Sequence, residues 1–123
     1  MTIDIRFRGL QDSVSLRAHI ARRVQSQVRR LGKALYGIVI RLSDVNGPKG
    51  GVDKRCQVVL RRPGLRPITI EEQSVDAYAA VDIAFERAAR AAGRERERAR
   101  GRRRRWVQAL GSVAEVAFAA LAA

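Results

Sequence analysis

The sequence predicts an α+β fold, a two-layer sandwich in which two helices cover one face of a four-stranded sheet, in the order β-α-β-β-β-α. Three observations predict it. Four short segments alternate apolar and polar residues, two longer segments repeat apolar residues every three or four positions, and turn residues separate them. A sheet with one apolar face must be covered, and two amphipathic helices are available to do this.

The first strand and the first helix follow each other at the N-terminus. Apolar and charged residues alternate over 2–8, which predicts a half-buried strand. Asp12 or Ser13 can cap the helix that follows, because a side-chain oxygen accepts hydrogen bonds from the free amides there. The apolar stripe of this helix comprises Leu16, Ile20, Val24, Val28 and Leu31. We expect Gly32 to end the helix.

Three more strands are predicted after Tyr36. Alternation returns over residues 38–43, again over 56–61, and a fourth strand contains Ile68 and Ile70. Short turns rich in Gly and Pro separate these strands, so they should form an antiparallel meander. The helix between the first two strands is the usual connection between parallel neighbours.

The second helix carries the next apolar stripe. Ser74 can cap it, and Asp76 suits the positive end of its dipole. The buried stripe comprises Tyr78, Val81, Phe85, Ala88, Ala89 and Ala92. The helix should continue through an Arg/Glu alternation, although Gly93 and Gly101 weaken it. We expect an α+β domain over residues 1–98 and an Arg-rich segment with an apolar tail over 99–123.

The charge of the chain predicts a polyanionic partner. Its 123 residues contain 25 Lys+Arg and 12 Asp+Glu, a net charge of +13. Eight of the arginines lie between Arg94 and Arg105, in a run that is typical of a solvated helix end. The rest of the excess lies in the folded part, where an ordered basic face can fit a partner.

Both helices are expected to show basic residues on the side opposite their apolar stripe. The first helix contributes Arg22, Arg29 and Lys33, and the second contributes Arg87, Arg90 and Arg94. Such a surface is either a solvated face or a phosphate-binding array, since guanidinium groups bind phosphate with two hydrogen bonds. A-form RNA is favoured over DNA because no helix presents Asn or Gln for reading base edges.

The residues that could perform chemistry are few and separated. His19 has no carboxylate, thiol or second His at helical spacing, and Cys56 falls on an apolar strand position. One His and one Cys cannot form the usual zinc cluster, and a single Cys excludes a disulfide framework. We therefore expect no enzymatic activity, no metal, no cofactor and no small-molecule substrate.

The glycine-rich stretch 46–51 has two readings. Its backbone amides could bind a phosphate, but it lacks the Gly-Lys-Ser/Thr ending of a nucleotide loop and opens no helix. A hairpin tip is favoured, with Lys49 and Lys54 as candidate contacts to a partner.

The apolar tail over residues 107–123 reads as an amphipathic helix. Trp106, Leu110, Val113, Ala117 and Leu121 fall near one face. The tail is short for a membrane span, so we expect it to pack on its own domain, on a second copy or on another protein. Docking to a membrane surface, assisted by the adjacent arginines, is the alternative reading. We expect a cytoplasmic protein with no membrane partner.

Three segments resemble a known family. Residues 76–82 (DAYAAVD), followed by Arg87, Arg90 and Arg94, resemble the second helix of the ribosome hibernation promoting factor and ribosome-associated inhibitor family. Residues 42–56 look like a short subgroup of this family, and residues 16–20 fit its first helix. The resemblance covers residues 1–98.

The resemblance implies a function without catalysis. Family members bind the small ribosomal subunit, through its rRNA, in the channel used by messenger and transfer RNA, which inhibits translation and stabilises idle ribosomes. Arg87, Arg90 and Arg94 carry over as contacts to the rRNA backbone. The separate C-terminal domain with which long members pair ribosomes is not found in this sequence, so the resemblance leaves the tail unexplained.

A second function class remains open. The apolar tail is suited to a protein-interaction regulator, for example one acting on the transcription machinery. Loss of the tail would then abolish binding of that partner and leave rRNA binding intact. Loss of the helix arginines would abolish rRNA binding and leave the partner bound.

Overall fold

Four strands, two α-helices and a short 3-10 turn make up the residues that the structure, a computed structural model, describes: 1–10, 13–45 and 53–122. Side chains are described as far as Gly111. The elements are β1 (Thr2–Arg8), α1 (Val14–Leu31), β2 (Gly37–Asp44), β3 (Lys54–Arg61), β4 (Ile68–Ser74) and α2 (Ala77–Ala122). The predicted order β-α-β-β-β-α is confirmed.

The described chain divides into two units, Met1–Ala92 and Gly93–Ala123. The first unit holds the sheet, α1 and the start of α2, and the second holds the remainder of α2. The boundary that the sequence places at residue 98 remains a prediction.

The strands form one mixed sheet in the order β1-β2-β3-β4. β1 and β2 are parallel, with Ile3 opposite Ile38, because α1 carries the chain back to the starting edge. β2, β3 and β4 are antiparallel neighbours, as the short segments between them in the sequence predict. The predicted meander is confirmed.

Both helices cover the same face of the sheet. Ile20 and Val24 of α1 and Val81 and Phe85 of α2 are buried in one core with the strands. The strand residues in this core are Ile38, Ile40, Leu42, Cys56, Val58, Leu60 and Ile68. Their alternation places every polar neighbour on the opposite side, so the two-layer sandwich predicted from periodicity is confirmed.

The opposite side of the sheet faces solvent, and we call it the open face. Its residues alternate with the core residues along each strand: Asp4, Arg6, Arg8, Val39, Arg41, Ser43, Arg55, Gln57, Val59, Arg61, Thr69, Glu71 and Gln73. Most of them are exposed or half-buried, although Val39 is 8% exposed.

α1 begins and ends at residues that the sequence singles out. The Ser13 hydroxyl accepts a hydrogen bond from the Leu16 amide at 3.1 Å, which caps the helix. Gly32 adopts a φ of 47°, and its amide donates to the Val28 carbonyl at the end of the helix. The alternative cap, Asp12, lies outside the described residues.

The start of α2 differs from the prediction. Ser74 is the last residue of β4, where it pairs with Lys54, so it cannot cap a helix that begins at Ala77. The Asp76 carboxylate caps instead and accepts from the Tyr78 amide at 3.1 Å, while the Ser74 hydroxyl accepts from the Asp76 amide. Two residues, Val75 and Asp76, separate the end of β4 from the start of α2, so the cap is Asp76 instead of Ser74.

The buried face of α2 is also rotated from the predicted stripe. Tyr78 is 36% exposed and Ala89 is half-buried, whereas Ala80 and Ala84 are fully buried. Alanines therefore make much of the contact with the sheet. The helix continues through Gly93 and Gly101 to Ala122, as the Arg/Glu alternation predicts.

Two sequence predictions fall on residues outside this description. The hairpin tip over residues 46–51, with Lys49, is among them. The side chains of Val113, Ala117 and Leu121, which belong to the predicted apolar face of the tail, are also outside it.

Candidate nucleic-acid interface

The basic residues of α1 point away from the core. Arg22 and Arg29 are exposed, on the side of the helix opposite Ile20 and Val24. Lys33 is exposed too, but it is not on the helix as the helical spacing predicted. α1 ends at Leu31, and Lys33 lies in the 3-10 turn Gly32–Ala34, because the positive φ at Gly32 redirects the chain.

The basic residues of α2 in the first unit each have an acidic neighbour. Arg90 Nη2 lies 3.2 Å from Glu86 Oε1, and both side chains are more than half exposed, so this pair contributes a few tenths of a kcal/mol, about 0.3–0.5. Arg87 contacts the carboxylate of Glu72 on β4. We call Arg22, Arg29, Lys33, Arg87 and Arg90 the helix face.

Arg94 belongs to the second unit, where its side chain is exposed on α2. It is the first of the eight arginines in the run from Arg94 to Arg105. Its predicted contact with rRNA remains a prediction, as do those of the helix-face residues.

Lys54 has a structural role in the described chain. Its ammonium lies 2.8 Å from Asp44 Oδ2 and 3.2 Å from Asp53 Oδ2, and Asp53 is 1% exposed. The hydrogen bond to Asp44 raises the pKa of Lys54 above its ordinary value, against the effect of desolvation. These two carboxylates occupy the ammonium, so Lys54 is the member of the predicted set that is least free to bind phosphate.

A polar seam that the sequence analysis missed joins the two helices. His19 Nε2 lies 2.6 Å from Asp82 Oδ1, and Arg23 Nε donates to the same oxygen at 2.8 Å. Partial burial raises the pKa of Asp82, but the hydrogen bonds and charges of Arg23 and His19 lower it, so the pKa lies below its ordinary value. The sequence offers no carboxylate at helical spacing from His19, and the carboxylate that the structure brings to it comes from the other helix.

The seam continues toward the start of α2. The Ser15 hydroxyl and the Tyr78 hydroxyl share a hydrogen bond of 2.6 Å, and the Tyr78 ring meets His19 edge to face at 5.2 Å. Tyr78 and Asp82 are four residues apart, as are Ser15 and His19, so each pair lies along one side of its helix. This spacing was the signal in the sequence that could have revealed the seam.

The seam is suited to positioning rather than catalysis. A nucleophile needs a base within hydrogen-bond reach, but the Ser15 hydroxyl is bonded to Tyr78 while His19 is bonded to Asp82. The contacts tie α1 to α2 and thereby fix the outward sides of both helices relative to each other.

Cys56 is buried at the centre of the sheet, as its strand position predicted. Burial raises the pKa of its thiol to about 12, so the nucleophilic thiolate is scarce at neutral pH. Cys56 is therefore a small apolar core residue.

Within 1–10, 13–45 and 53–122, no group of three or more His, Cys, Asp or Glu side chains could hold a metal ion. No helix in that part of the chain combines the length and apolar character of a membrane span.

The open face carries arginines that the sequence analysis did not assign to any site. Arg6, Arg41 and Arg55 come from three different strands and meet only because β1, β2 and β3 are neighbours. Each strand shows its arginine through alternation, but their grouping depends on strand order and register.

Solved structures share the fold. A ribosomal subunit interface protein from Coxiella burnetii has a TM-score of 0.62 and 18% identity, and the match covers 79% of this chain and 99% of that one. The N-terminal domain of Protein Y from Thermus thermophilus has a TM-score of 0.61 and 22% identity, over 76% of this chain and 98% of that one. At these identities the likeness shows the fold.

Sequence comparison shows the family. No curated protein matches the chain significantly. A family described as sigma 54 modulation protein / S30EA ribosomal protein matches residues 3–100, which include the sheet, α1 and the seam on α2. The match spans most of the chain, and this protein therefore belongs to the sigma 54 modulation protein / S30EA ribosomal protein family.

Proposed function

We propose that this protein binds rRNA of the small ribosomal subunit in the channel used by messenger and transfer RNA, in the cytoplasm. Bound there, it inhibits translation and stabilises idle ribosomes. The observation that carries the proposal is the helix face, a set of exposed cations on α1, on the turn that follows it and on α2, with the two helices held together by the seam. Family membership and the fold shared with a ribosomal subunit interface protein support a ribosomal partner.

The chemistry of the helix face suits phosphate. Arg22 and Arg29 make no ion pair with any described residue, so their guanidinium groups are available for two-pronged hydrogen bonds. Arg87 and Arg90 retain donors beyond those that face Glu72 and Glu86. One phosphate contact from each of the five helix-face residues, Lys33 included, predicts a slope of about −4.5 for the logarithm of affinity against the logarithm of salt concentration.

The mechanism is occlusion. The domain occupies space that a transfer RNA needs, and no bond is made or broken. Arg94 lies in the second unit, and we expect it to extend the contact along rRNA. An Arg94 variant is therefore measured separately from the variants of the first unit.

Co-sedimentation of the full chain with small ribosomal subunits, at low and high salt, tests the proposal. The variant Arg22→Gln/Arg90→Gln removes two charges from the helix face and keeps helix-forming residues. We expect roughly 30-fold weaker binding, because each lost charge-assisted contact is worth on the order of 1 kcal/mol. The matched control Arg102→Gln/Arg105→Gln removes the same charge from the Arg-rich run. Equal losses in both variants would contradict the proposal, since only net charge would then matter.

A second candidate function rests on exposed apolar side chains in the second unit. Trp106, Val107 and Leu110 are 69%, 62% and 61% exposed, and such residues favour a protein interface. In that case the tail recruits a protein partner, such as a component of the transcription machinery. Deletion of residues 107–123 should abolish capture of that partner and leave binding to small subunits unchanged; the opposite result would contradict this function.

A further inference from the structure

The open face is a second basic surface. Five arginines and two carboxylates give it a net charge of +3: Arg6, Arg8, Arg41, Arg55, Arg61, Asp4 and Glu71. They are packed closely. Arg6 is the direct partner of Arg41 across β1 and β2, and neighbouring strands lie about 4.8 Å apart.

Three of these arginines, Arg6, Arg41 and Arg55, each have a polar side chain next to one edge of the guanidinium group. Arg6 Nε and Nη2 both lie 2.9 Å from Asp4 Oδ2. Arg41 Nη1 donates to Gln57 Oε1 at 3.2 Å. Arg55 Nε lies 3.0 Å from Glu71 Oε1 in an ion pair that lacks hydrogen-bond geometry. A guanidinium has five donors, so each group is oriented by its neighbour and keeps donors for an outside acceptor. Orientation before binding reduces the entropy lost on binding.

A depression of about 500 Å³ lies between these side chains. Its lining includes Arg6, Arg8, Arg41, Arg55, Gln57 and Glu71. Arg8 at its edge makes no ion pair with any residue that the structure describes. A concave site surrounded by guanidinium donors attracts an anion with several acceptor oxygens.

The side-by-side arginines on the parallel strands β1 and β2 are expected to repel each other. Like charges directly opposite each other on neighbouring strands oppose pairing, by roughly 0.2–1 kcal/mol. The partner of Arg6 across the strands is another cation, Arg41, and the acid beside Arg6 is its own neighbour Asp4. Folding alone does not require this arrangement, whereas binding of an anion would relieve the repulsion.

We propose that the open face binds backbone phosphates of an RNA segment, so that the domain is held between RNA on both of its sides. The proposal takes RNA as the partner from the proposed function, but it concerns a different surface. Phosphate is favoured over an acidic protein because the open face offers no exposed apolar anchor. Its apolar residues are Val39, at 8% exposure, and the half-buried Val59, whereas protein interfaces centre on large buried side chains.

The absence of aromatic residues narrows the mode of binding. The strand positions of the open face hold no Phe, Tyr or Trp, and Phe7, which also borders the depression, packs against the core. Bases therefore find no aromatic side chain to stack on there. The contacts would therefore be to the backbone, with no dependence on base sequence.

Arginine footprinting of the full chain tests the proposal directly. Phenylglyoxal modifies accessible guanidinium groups, and mass spectrometry gives the rate at each arginine with and without a saturating A-form RNA duplex or small ribosomal subunits. We expect both probes to slow modification of Arg8 and Arg41 about tenfold, since a bound phosphate occupies the donors. Arg66, exposed in the turn before β4, serves as the unprotected reference.

Each pattern of protection has a distinct meaning. Protection of Arg8 and Arg41 together with Arg22 and Arg90 supports both proposals. Protection of Arg22 and Arg90 alone overturns the open-face proposal and leaves the proposed function standing. Protection of the open face alone overturns the helix face as the ribosomal contact. Protection of Arg8 and Arg41 by polyglutamate but not by RNA overturns the open-face proposal in favour of an acidic protein partner.

A variant gives an independent readout. Arg8→Gln/Arg41→Thr places polar residues on the open face and removes the side-by-side arginines. We expect affinity for the RNA duplex to fall about tenfold relative to Arg66→Gln, while the thermal midpoint stays level or rises. Affinity equal to that of the Arg66 variant overturns the proposal.

Discussion

The helix face and the open face carry arginines in different ways. On the helix face, Arg22 and Arg29 project singly from one side of α1, and the nearest acid to Arg90 is an exposed glutamate one turn away. On the open face, Arg6 and Arg41 stand side by side and are oriented by Asp4 and Gln57. Helix spacing places cations singly along one side of a helix, whereas strand pairing places them side by side with polar neighbours.

The largest expected effect is on stability, because it comes from a change in the core that supports both the helix face and the open face. Phe85 is the largest fully buried side chain and packs in the core between helices and sheet. Phe85→Ala should lower the free energy of unfolding by about 3–5 kcal/mol, because it leaves a cavity there. Chemical denaturation measures this change. An effect below about 1 kcal/mol would contradict the described core.

A medium effect on stability is expected when the seam between the two helices is broken. Asp82→Asn replaces the carboxylate that accepts hydrogen bonds from His19 and Arg23 with a neutral amide. We expect the free energy of unfolding to fall by about 1 kcal/mol at neutral pH, a value reduced for the partial exposure of the pair. Glu86→Gln, which affects only the exposed pair with Arg90, is the matched control and should change stability less.

The contribution of Asp82 should depend on pH. The folded-state pKa of Asp82 is lowered, so the stabilisation is complete above the unfolded pKa of about 3.9 and is lost as pH falls through the folded-state value. The wild type and Asp82→Asn should therefore converge in stability toward acid pH. A difference that stays constant from neutral to acid pH would mean that the charge of Asp82 is irrelevant.

A smaller effect of opposite sign is expected on the open face. Arg41→Thr removes the repulsion with Arg6 and introduces a β-branched residue that favours strands. The free energy of unfolding should rise by about 0.5 kcal/mol, measured with the same denaturant. A clear loss of stability would show that the hydrogen bond to Gln57 outweighs the repulsion.

The smallest effect concerns the exposed pair on α2. Arg90→Gln should change the free energy of unfolding by no more than about 0.5 kcal/mol, because exposed ion pairs are screened by solvent. Binding to small subunits should nevertheless weaken. Calorimetric unfolding and co-sedimentation of the same preparation separate the two results, and a large loss of stability would place Arg90 in a structural role.

Periodicity was sufficient to predict much of the fold. Apolar residues repeat with period two in the strands and near 3.6 in the helices, and the burial of Ile38, Ile40 and Val58 or of Ile20 and Val24 follows from that pattern. Caps were predictable where the chain leaves a loop, as at Ser13, but not where β4 extends to Ser74.

Contacts between distant segments were not predictable in this way. Asp82 meets His19 across 63 residues of sequence, and the four-residue spacings within each helix do not specify which two helices lie side by side. The grouping of Arg6, Arg41 and Arg55 on the open face requires strand order and register, which alternation within one strand does not specify. Four helix-face arginines were identified because they recur at helical spacing, Arg22 and Arg29 on α1 and Arg87 and Arg90 on α2.

Occlusion of the channel is tested most directly by competition. Small ribosomal subunits are saturated with the full chain, transfer RNA is then added, and the bound protein is measured by sedimentation at two salt concentrations. We expect a single copy to bind each subunit and transfer RNA to displace it. Binding that does not saturate, is unaffected by transfer RNA and disappears with salt would contradict it, and would show a polycation that binds RNA through its net charge of +13 alone.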